Sequence, residues 1–405
     1  MISLVNKIKT ARQTALAVLE AVFSEGAYSN IALNQALLEV PLSSADKGLV
    51  TEIVYGTVAR KITLEWYLSN VIEDRDKLDS WLYFLLLMSL YQILYLDKIP
   101  AHAVVNEAVE LAKVRKKGSE KFANAVLRGL LRDGVADIGS IKRKNKRYSI
   151  QYSLPVWLVK MLIEEYGEKR ALAIFESLFL RNKASVRVGD LSRKEELKQV
   201  LQAEDSLLAP SALVKNHGHF AGHALFEEGA ITIQDESSQL VAPSLELRGD
   251  EKVLDACSAP GGKTMHIASY LTTGQVTALD LYEHKLALIK ENAQRLGVAD
   301  KVITKKLDAR KVFETFGADA FDKILVDAPC SGIGLIRRKP DIKYNKENAD
   351  FENLQKIQLD ILDSVCQSLR KGGIITYSTC TIFSQENSQV VSKFLEKHPN
   401  FEQVN

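Results

Sequence analysis

The sequence predicts a multidomain protein in which an all-α bundle precedes a small α+β segment and an α/β domain with a doubly wound sheet. Its 405 residues are enough for two or three domains. Residues 1–140 show helical periodicity almost throughout, whereas strand-like runs alternate with helical patterns from residue 236 onward. That alternation is typical of a parallel sheet with helices on both faces. We therefore predict domains at 1–140, 141–235 and 236–405.

The amino-terminal segment predicts a helical bundle. Residues 10–23 carry apolar side chains at helical spacing, and Ser43 and Ser44 are capping residues ahead of another such pattern. The apolar run 81–96 includes Ser89 and Gln92 and is shorter than the roughly 20 residues that a membrane span requires. We interpret it as a core helix. Further helices are expected at 64–71, 82–96, 104–114 and 120–131.

The middle segment is the most basic part of the chain. Five of the six residues 142–147 are cationic, whereas residues 1–140 hold 16 cationic and 16 acidic side chains. Two interpretations are open: a solvated linker, or a strap that contacts nucleic-acid phosphates. A helix ending near Tyr166, a second helix at 171–180, a strand at 184–188 and a strand within 229–238 are predicted to follow.

The α/β domain opens with a candidate nucleotide-binding loop. Residues 253–257 predict a strand, 258–262 a tight loop with two glycines, and Lys263 begins a helical pattern. A phosphate-binding P-loop is excluded because Cys257 stands where its first glycine is required. Asp280 follows a second strand-like run, where an acid that binds ribose is expected. An acid without a phosphate loop indicates an adenosine without phosphates, such as S-adenosylmethionine.

Three aspartates end predicted strands of this domain. Asp280, Asp308 and Asp327 each stand at the carboxyl end of a strand-like run, and the last strands are expected at 302–308, 321–327 and 374–380. A helix near 353–369 should separate the final two. Ligands bind beyond the carboxyl ends of parallel strands, so the three carboxylates should converge on one crevice.

Two of the four cysteines are placed for chemistry. Cys330 and Cys380 each follow a predicted strand beside the expected cofactor loop. A thiolate that adds to C6 of cytosine makes C5 nucleophilic, and C5 can then accept a methyl group. Cys257 and Cys366 are predicted to be a loop thiol and a packed helix residue. The spacing of the cysteines contains no Cys-x-x-Cys pair, so no metal site is expected, and the chain without an export signal is expected to be cytoplasmic with reduced thiols.

Residues of the amino-terminal segment resemble the NusB-type RNA-binding domain. The resemblance is carried by four stretches: Tyr28-Ser29-Asn30, Tyr55-Gly56-Thr57, Pro100-Ala101-His102-Ala103 and Phe122-Ala123-Asn124-Ala125. Together with Pro329-Cys330, Thr379-Cys380 and the loop 257–263, the whole chain resembles Fmu/RsmB-type 16S ribosomal RNA cytosine-C5 methyltransferases. This implies a NusB-like bundle followed by a Rossmann-like methyltransferase domain, with S-adenosylmethionine as cofactor and 16S ribosomal RNA as partner.

The resemblance also implies roles for individual residues. Cys380 would be the nucleophile, Cys330 would assist product release, Asp327 would bind the base and Lys263 would favour the thiolate. Asp280 would bind the ribose and Asp308 the adenine. The backbone holding the methionine part of the cofactor would be Cys257, Ser258, Ala259, Pro260, Gly261, Gly262 and Lys263, with Asp327 nearby. The candidate RNA contacts are Arg337, Arg338, Lys339, Lys142, Arg143, Lys144, Lys146 and Arg147.

Several of these residues also fit a structural interpretation. Asp308 could simply cap a strand end, residues 337–339 could form a solvated loop, and each active-site cysteine taken singly could be a packing residue. The chain departs from the family pattern at Gly189, where asparagine is expected, and at Lys339 and Tyr344, where histidine and tryptophan are usual. The family's closing strand is absent before Asn405, so an edge of the sheet is expected to be incomplete.

The predicted function is methylation of C5 in a specific cytosine of 16S ribosomal RNA, cytosine 967 by resemblance, by a monomer without metal or membrane contact. The RNA would be free or partly assembled into the small subunit. Two alternatives stay open: the same chemistry on transfer RNA, and a non-catalytic RNA-binding factor related to antitermination proteins. A nucleotide hydrolase is excluded by Cys257.

Overall fold

The computed structural model describes residues 10–216, 220, 222–346 and 350–404. They form two compact units. The helical unit comprises Met1–Leu180 and Leu335–Asn348. The other unit, which holds the candidate active site and is named the catalytic unit for that reason, comprises Arg181–Gly334 and Ala349–Asn405. The middle segment predicted at 141–235 is thus divided between the two units at Leu180.

The helical unit is built around one apolar helix. This helix, α5 (Ser80–Tyr95), is buried along most of its length, as expected of a core helix. No helix in the described part of the chain is both long and apolar enough to cross a membrane. The remaining helices of the unit are α1 (Ala11–Ser24), α2 (Ser29–Glu39), α3 (Ser44–Ala59), α4 (Lys61–Ser69), α6 (Ala101–Arg115), α7 (Ser119–Asp133), α8 (Lys144–Gln151), α9 (Val156–Tyr166) and α10 (Glu168–Ser177).

Helix boundaries in this unit follow from local capping. Thr10 and Gln13 form a reciprocal capping box that begins α1, and Ser43 accepts the Asp46 amide at the start of α3. The structure adds α2, which was not predicted as a helix although its first residues, Ser29 and Asn30, belong to a stretch that resembles NusB. It also shows that most of the basic segment 142–147 is not an open linker, because α8 begins at Lys144.

A short segment from the second half of the sequence completes the helical unit. Residues Pro340–Tyr344 form a 3₁₀ turn packed against α3. The Lys343 ammonium donates to the Ala59 carbonyl over 2.7 Å, and the Tyr344 hydroxyl donates to the Val58 carbonyl over 2.8 Å. Asp341 is buried and accepts a hydrogen bond from Ser29. These contacts extend the core of the helical unit with residues that follow Cys330 by 10 to 14 positions.

The catalytic unit contains a small antiparallel sheet. Its strand order is β2-β3-β1-β4, and β1 pairs with both β3 and β4. Strand β1 confirms the strand predicted at 184–188. The elements of this part are β1 (Ala184–Val188), α11 (Lys194–Leu201), β2 (Glu204–Asp205), β3 (Ala212–Lys215), α12 (Ala224–Glu227), β4 (Ile231–Ile233) and α13 (Glu236–Gln239).

The larger sheet has the predicted doubly wound, parallel architecture. Five strands lie in the order β7-β6-β5-β8-β9, and every pairing is parallel. Its strands are β5 (Lys252–Asp255), β6 (Gln275–Asp280), β7 (Val302–Lys306), β8 (Phe321–Asp327) and β9 (Leu369–Ser378). The helices are α14 (Gly262–Tyr270), α15 (Glu283–Arg295), α16 (Val312–Phe316), α17 (Asp350–Val365) and α18 (Ser388–Lys397).

Two apolar clusters cover the sheet. One includes α14 and α15 and packs on Val253 and Val276. The other includes α17 and α18 and packs on Ile324 and Val326. Near-continuous apolar strands are typical of a parallel sheet that is buried on both faces. The sheet therefore presents its polar residues mainly at its strand ends.

The last strand begins earlier than the sequence predicted. The sequence predicted a helix near 353–369 and a strand at 374–380, but α17 ends at Val365 and β9 starts at Leu369, so Gly372 and Gly373 lie inside the strand. A Cβ at Gly373 would lie 2.6 Å from the Asp322 carbonyl oxygen, so close packing on the neighbouring strand accounts for this glycine. Among the described residues β9 pairs with β8 and forms an edge of the sheet.

Candidate active site

The loop after β5 leads directly into α14, with Gly261 as the N-cap of the helix. Gly261 adopts a left-handed conformation with φ of +101°, and a Cβ there would lie 3.2 Å from the Ile289 side chain. A Cβ at Gly262 would meet no atom within 4 Å, so the backbone there borders open space. The Ser258 amide and hydroxyl both donate to the Leu279 carbonyl, at 2.9 and 2.8 Å. The loop is thus fixed to the neighbouring strand with an approachable helix start.

The two predicted active-site sulfurs lie side by side. The Sγ atoms of Cys330 and Cys380 are 3.1 Å apart, and the Cys380 amide donates to the Cys330 sulfur over 3.3 Å. Both are free thiols, and Cys380 is exposed. The two residues come from different loops, one after β8 and one after β9, which are adjacent parallel strands.

The shared hydrogen bond polarises the thiol pair. Donation from Cys330 lowers the pKa of Cys380, and the charge of Lys263 acts in the same direction, while burial and Asp327 oppose it. The same interaction raises the pKa of Cys330, and burial adds to the effect. Cys380 is therefore the thiol that loses its proton more readily, and Cys330 is the one that keeps its proton and can donate it in a hydrogen bond.

Lys263 and Asp327 form an ion pair next to the sulfurs. The ammonium and carboxylate are 2.6 Å apart, and Ser378 donates to the other Asp327 oxygen over 2.8 Å. Beneath them, Asp255 is fully buried and accepts from Thr264 over 2.6 Å. Burial raises the pKa of Asp255 to about 7. The ion pair leaves Asp327 oriented by two donors from different elements.

Asp280 is the last residue of β6, as predicted, whereas β7 ends at Lys306 and Asp308 lies two residues beyond it, at the start of a 3₁₀ turn. Asp280 accepts the Tyr282 amide over 3.0 Å, which fixes its carboxylate at the start of the following loop. Asp308 pairs with Arg310 over 2.6 Å, and this hydrogen bonding lowers the pKa of Asp308. The role of Arg310 was not predicted, although its position two residues after Asp308 allows this local pairing.

One cavity of about 510 Å³ joins these groups at the carboxyl end of the sheet. It is lined by the loop residues Cys257 and Ala259, by all three strand-end aspartates and by both sulfurs. Its size falls in the range of small-molecule and cofactor sites. Lys263 reaches this site through its ion pair with Asp327. The remaining polar and apolar walls include Tyr282, Lys285, Arg310, Pro329, Ile357 and Ile361.

A buried carboxylate that the sequence reasoning missed holds the two cysteine loops together. Glu386 is fully buried and accepts from the Ser331 amide at 2.7 Å and the Ser331 hydroxyl at 2.5 Å. Gln358 donates to Glu386 over 3.3 Å and to the Pro329 carbonyl over 2.9 Å. The Ser331 hydroxyl also lies 2.9 Å from Thr381. Glu386 looks like an ordinary polar helix-start residue in the sequence, so nothing in its local pattern signals this role.

Close backbone packing also fixes the loop that carries Cys380. The Gly334 amide donates to the Cys380 carbonyl over 3.0 Å, and a Cβ at Gly334 would lie 2.8 Å from that oxygen. Asn387 donates to the Phe383 carbonyl over 3.0 Å and accepts from Thr379 over 2.6 Å. Cys366, in contrast, is buried after α17 and does not line the cavity.

The predicted RNA contacts fall in two places within the helical unit. Arg143, Lys144 and Lys146 line a concavity of about 600 Å³ together with Lys160, which the sequence reasoning did not include. Lys144 also pairs with Glu168 over 2.8 Å. Lys142 is exposed, and the Arg147 guanidinium lies 5.8 Å from the centre of the Tyr148 ring.

The second group of candidate RNA contacts is residues 337–339, and exposure of the chain falls at Lys339. Arg337 and Arg338 are exposed, and Lys339 is half-buried. Lys343 is completely buried, and burial lowers the pKa of its ammonium to about 7. The exposed arginines fit a surface role, whereas the residues after them are structural.

No cluster of histidine, cysteine and acidic side chains suited to a metal ion occurs among the residues that the structure describes.

Known protein families match parts of both compact units of the chain. The profile of the NusB family matches residues 9–132, and that of the 16S rRNA methyltransferase RsmB/F family matches residues 242–405. The crystal structure of PH0851 covers 97% of this chain and 91% of its own, with a TM-score of 0.81 at 24% identity. A methyltransferase homologue from Pyrococcus horikoshii, 27% identical, covers 63% of this chain and 83% of its own with a TM-score of 0.55. Fold and cavity thus define a Rossmann-like methyltransferase with a NusB domain.

Full-length relatives identify the family. The chain is 44% identical to the probable ribosomal RNA small subunit methyltransferase B of Bacillus subtilis, over 98% of this chain and 90% of that protein. It is 33% identical to ribosomal RNA small subunit methyltransferase B of Serratia proteamaculans, over 89% of this chain and 84% of that protein. The chain belongs to the RsmB/F family of 16S ribosomal RNA methyltransferases.

Proposed function

We propose that this enzyme methylates C5 of a specific cytosine in 16S ribosomal RNA, with S-adenosylmethionine as methyl donor and Cys380 as nucleophile. The observation that carries the proposal is the pair of sulfurs, 3.1 Å apart, in a cavity that is also lined by two strand-end aspartates suited to an adenosine. The relatives named as ribosomal RNA small subunit methyltransferase B support the choice of RNA. By resemblance, the target is cytosine 967.

The cavity residues fit the proposed cofactor. The open backbone at Gly262 and the first amides of α14 would hold its methionine part, Asp280 the ribose hydroxyls and Asp308 the adenine amino group. Bound there, the cofactor supplies an electrophilic methyl group. The chain's own part is to bind it, to bring the cytosine ring to the sulfurs and to exclude water.

Activation of the base begins at Cys380. The Sγ thiolate forms a bond to C6 of the cytosine, and the electron pair of the C5–C6 double bond moves toward C5 and, through C4, to N3. After C5 has gained the methyl group, its proton leaves to a base and the electron pair re-forms the C5–C6 double bond. The bond between Sγ and C6 breaks in the same elimination, which returns Cys380 as a thiolate.

Cys330, Lys263 and Asp327 support this cycle. The Cys330 thiol stabilises the thiolate of Cys380 through the contact between their sulfurs, and it therefore favours elimination as well as attack. Asp327 is held by Lys263 and Ser378, which leaves it oriented to hydrogen-bond the N3 or amino edge of the cytosine. These hydrogen bonds would strengthen as charge develops on the ring.

The helical unit would contribute RNA affinity. Four cationic residues line the concavity beside α8, and two exposed arginines precede the buried turn at Pro340–Tyr344. Cations placed in this way contact phosphates without reading the sequence. The selectivity for one cytosine must then come from RNA shape and from the walls of the active-site cavity.

The test is to map methylation on two substrates in one reaction. A 16S ribosomal RNA transcript and total transfer RNA are incubated with the enzyme and labelled S-adenosylmethionine, and methylated nucleotides are identified by mass spectrometry and bisulfite sequencing. We expect 5-methylcytosine at a single position of the 16S transcript, and none with the Cys380→Ala variant. Label confined to transfer RNA, or methylation of an atom other than C5, would contradict the proposal.

A further inference from the structure

A second cavity in the catalytic unit lies at the other end of the parallel sheet. Its volume is about 450 Å³, and its walls include Arg187 of β1, Ser269 in the last turn of α14, and Lys301 just before β7. Helix α14 begins at the carboxyl end of β5 and runs back along the sheet, so its last turn and the start of β7 mark the amino ends of the strands. This cavity is therefore separate from the one that holds the sulfurs.

Arg187 is a buried cation without a charged partner. Its side chain is 3% exposed, and its Nε atom donates to Gln234 over 2.9 Å. Among the described residues, the Arg187 side chain makes this one hydrogen bond. Neither of the two terminal nitrogens of its guanidinium donates to a described residue. Burial lowers the pKa of Arg187 to about 10, so the guanidinium still carries its charge at neutral pH. The ionisable groups that act on it are Tyr270 and Arg295, and neither is a carboxylate.

A second unsatisfied group lies close to this arginine. His266 is 2% exposed, and its Nδ1 atom has no hydrogen-bond partner among the described residues. Burial and the charge of Arg187 lower the pKa of His266 to about 3, so the ring stays neutral. Buried polar groups in folded proteins are normally hydrogen-bonded, and buried charges are normally paired. Arg187 lines the cavity and is the buried charge that lacks a charged partner, whereas the neutral His266 ring beside it supplies no negative charge.

The acidic residues of the cavity do not supply that partner. Arg193, at the mouth, is paired with Glu196 over 2.7 Å and also feels the charge of Glu228. Asp190 is exposed and is not among the groups that act on Arg187. The inner wall of the cavity is therefore positive, while its rim is mixed.

We propose that this cavity binds a phosphate-type oxyanion through the two terminal nitrogens of Arg187. Lys301 is a second cation on the wall, and its ammonium also donates to the Leu271 carbonyl over 2.6 Å. The planar guanidinium fork matches two oxygens of a phosphate group, and such charge-assisted hydrogen bonds are strong where water is excluded. Gly189, on the same wall, has no side chain to obstruct the space. The anion is either free phosphate or a backbone phosphate of bound RNA, since both present the same oxygens.

The test measures phosphate binding to the full-length enzyme. Inorganic phosphate is titrated by calorimetry, with sodium chloride at matched ionic strength as the reference, for the wild type, Arg187→Met and Arg370→Met. Arg370 lies in the same unit, outside the cavity, and pairs with Asp322 over 2.6 Å, so it is the matched control. We expect one site in the wild type, about 10- to 100-fold weaker binding in Arg187→Met, and unchanged binding in Arg370→Met. Equal affinity in all three proteins would overturn the proposal.

A second variant decides the question if Arg187→Met does not fold. Gly189→Leu fills the cavity without removing a charge, and a Cβ there would be 3.4 Å from the carbonyl oxygens of Gly229 and Ala230, an ordinary contact distance. It should lose the phosphate site while it keeps its fold by circular dichroism; retained binding would count against the proposal. Competition by a 16S transcript would identify backbone phosphate as the source, and independent binding would identify a free anion.

Discussion

The loop 329–334 and the segment 335–344 are consecutive in the sequence, yet they belong to different compact units. The first lies in the catalytic unit, where Cys330 remains accessible to a cavity and shares a hydrogen bond with Cys380. The second supplies the helical unit with a buried lysine and a buried aspartate. Polar residues that are neighbours in sequence thus have opposite functions: one set is left available for chemistry, and the other is used to anchor the chain.

The largest effect should come from the thiol that the cavity leaves available. Cys380→Ala removes the nucleophile, so methyl transfer should fall by at least about 10³-fold in single-turnover assays with 16S transcript. Cys366→Ala is the matched control, because this cysteine is buried in the same unit outside the cavity. A Cys380→Ala enzyme with more than a tenth of the wild-type rate would contradict the assignment.

A smaller loss should follow from loosening the two cysteine loops. Glu386→Gln keeps the shape of the side chain but removes the charge that accepts both hydrogen bonds from Ser331. Charge-assisted bonds of this kind correspond to about a 10- to 100-fold change, which should appear in kcat rather than in KM because the residue positions sulfur without touching substrate.

Two controls separate positioning by Glu386 from general damage. Glu396→Gln alters an exposed carboxylate on α18 and should leave kcat unchanged. The rate at which iodoacetamide modifies Cys380 should also fall in Glu386→Gln, because the contact between the sulfurs favours the thiolate. Normal alkylation together with a lower kcat would show that Glu386 acts by another route.

The buried lysine of the helical unit, Lys343, should affect how stability depends on pH, without affecting catalysis. Burial lowers the pKa of Lys343 from 10.5 to about 7 in the folded protein. Between these values the unfolded chain holds more protons, so the contribution of this residue to stability rises with pH, by up to about 1.4 kcal/mol per pH unit. Lys343→Met should remove this rise, whereas Lys47→Met, at an exposed position of α3, should keep it.

Tryptophan fluorescence can measure this effect in the intact protein, because Trp66, Trp81 and Trp157 all lie in the helical unit. Urea unfolding at pH 7 and pH 9 should differ more for the wild type than for Lys343→Met. The rate of methyl transfer at saturating RNA should stay within about twofold of the wild type, since Lys343 does not line the active-site cavity. An equal pH dependence in both proteins would show that Lys343 titrates normally.

The smallest effect is expected at the basic concavity beside α8. Lys160→Ala should weaken RNA binding modestly and lower the slope of log affinity against log salt by about 0.7 to 0.9, the value for one phosphate contact. Lys169→Ala on α10 is a matched exposed control that lies outside the concavity. An unchanged slope in Lys160→Ala would exclude this lysine from the RNA interface.

The sequence predicted correctly those site residues that follow the strands of the parallel sheet. The parallel sheet brings the ends of adjacent strands to one edge, so the positions of Asp280, Asp308 and Asp327, and the meeting of the two cysteines, followed from the strand assignments. It failed where a partner is distant in sequence. Glu386 and Lys343 read as ordinary polar residues, and only packing shows that one joins two loops and the other lies in a helix core.

The glycines of β9 illustrate a second limit. Paired glycines normally end helices, but here the neighbouring strand passes so close to Gly373 that a side chain would clash with the backbone of Asp322. A close approach between strands has no local signature. The same holds for Arg187, whose alternation with apolar neighbours predicted the strand correctly but gave no sign that its guanidinium lacks a partner.

The most direct test of the account is whether removing Cys330 traps the enzyme on its RNA. Incubation of Cys330→Ala with 16S transcript and S-adenosylmethionine, followed by denaturing electrophoresis, should show a protein–RNA species that survives denaturation. The Cys330→Ala/Cys380→Ala double variant should show none, because the bond is made by the Cys380 sulfur. An equally abundant adduct in the double variant, or none in Cys330→Ala with the wild type still turning over, would contradict the division of labour between the two thiols.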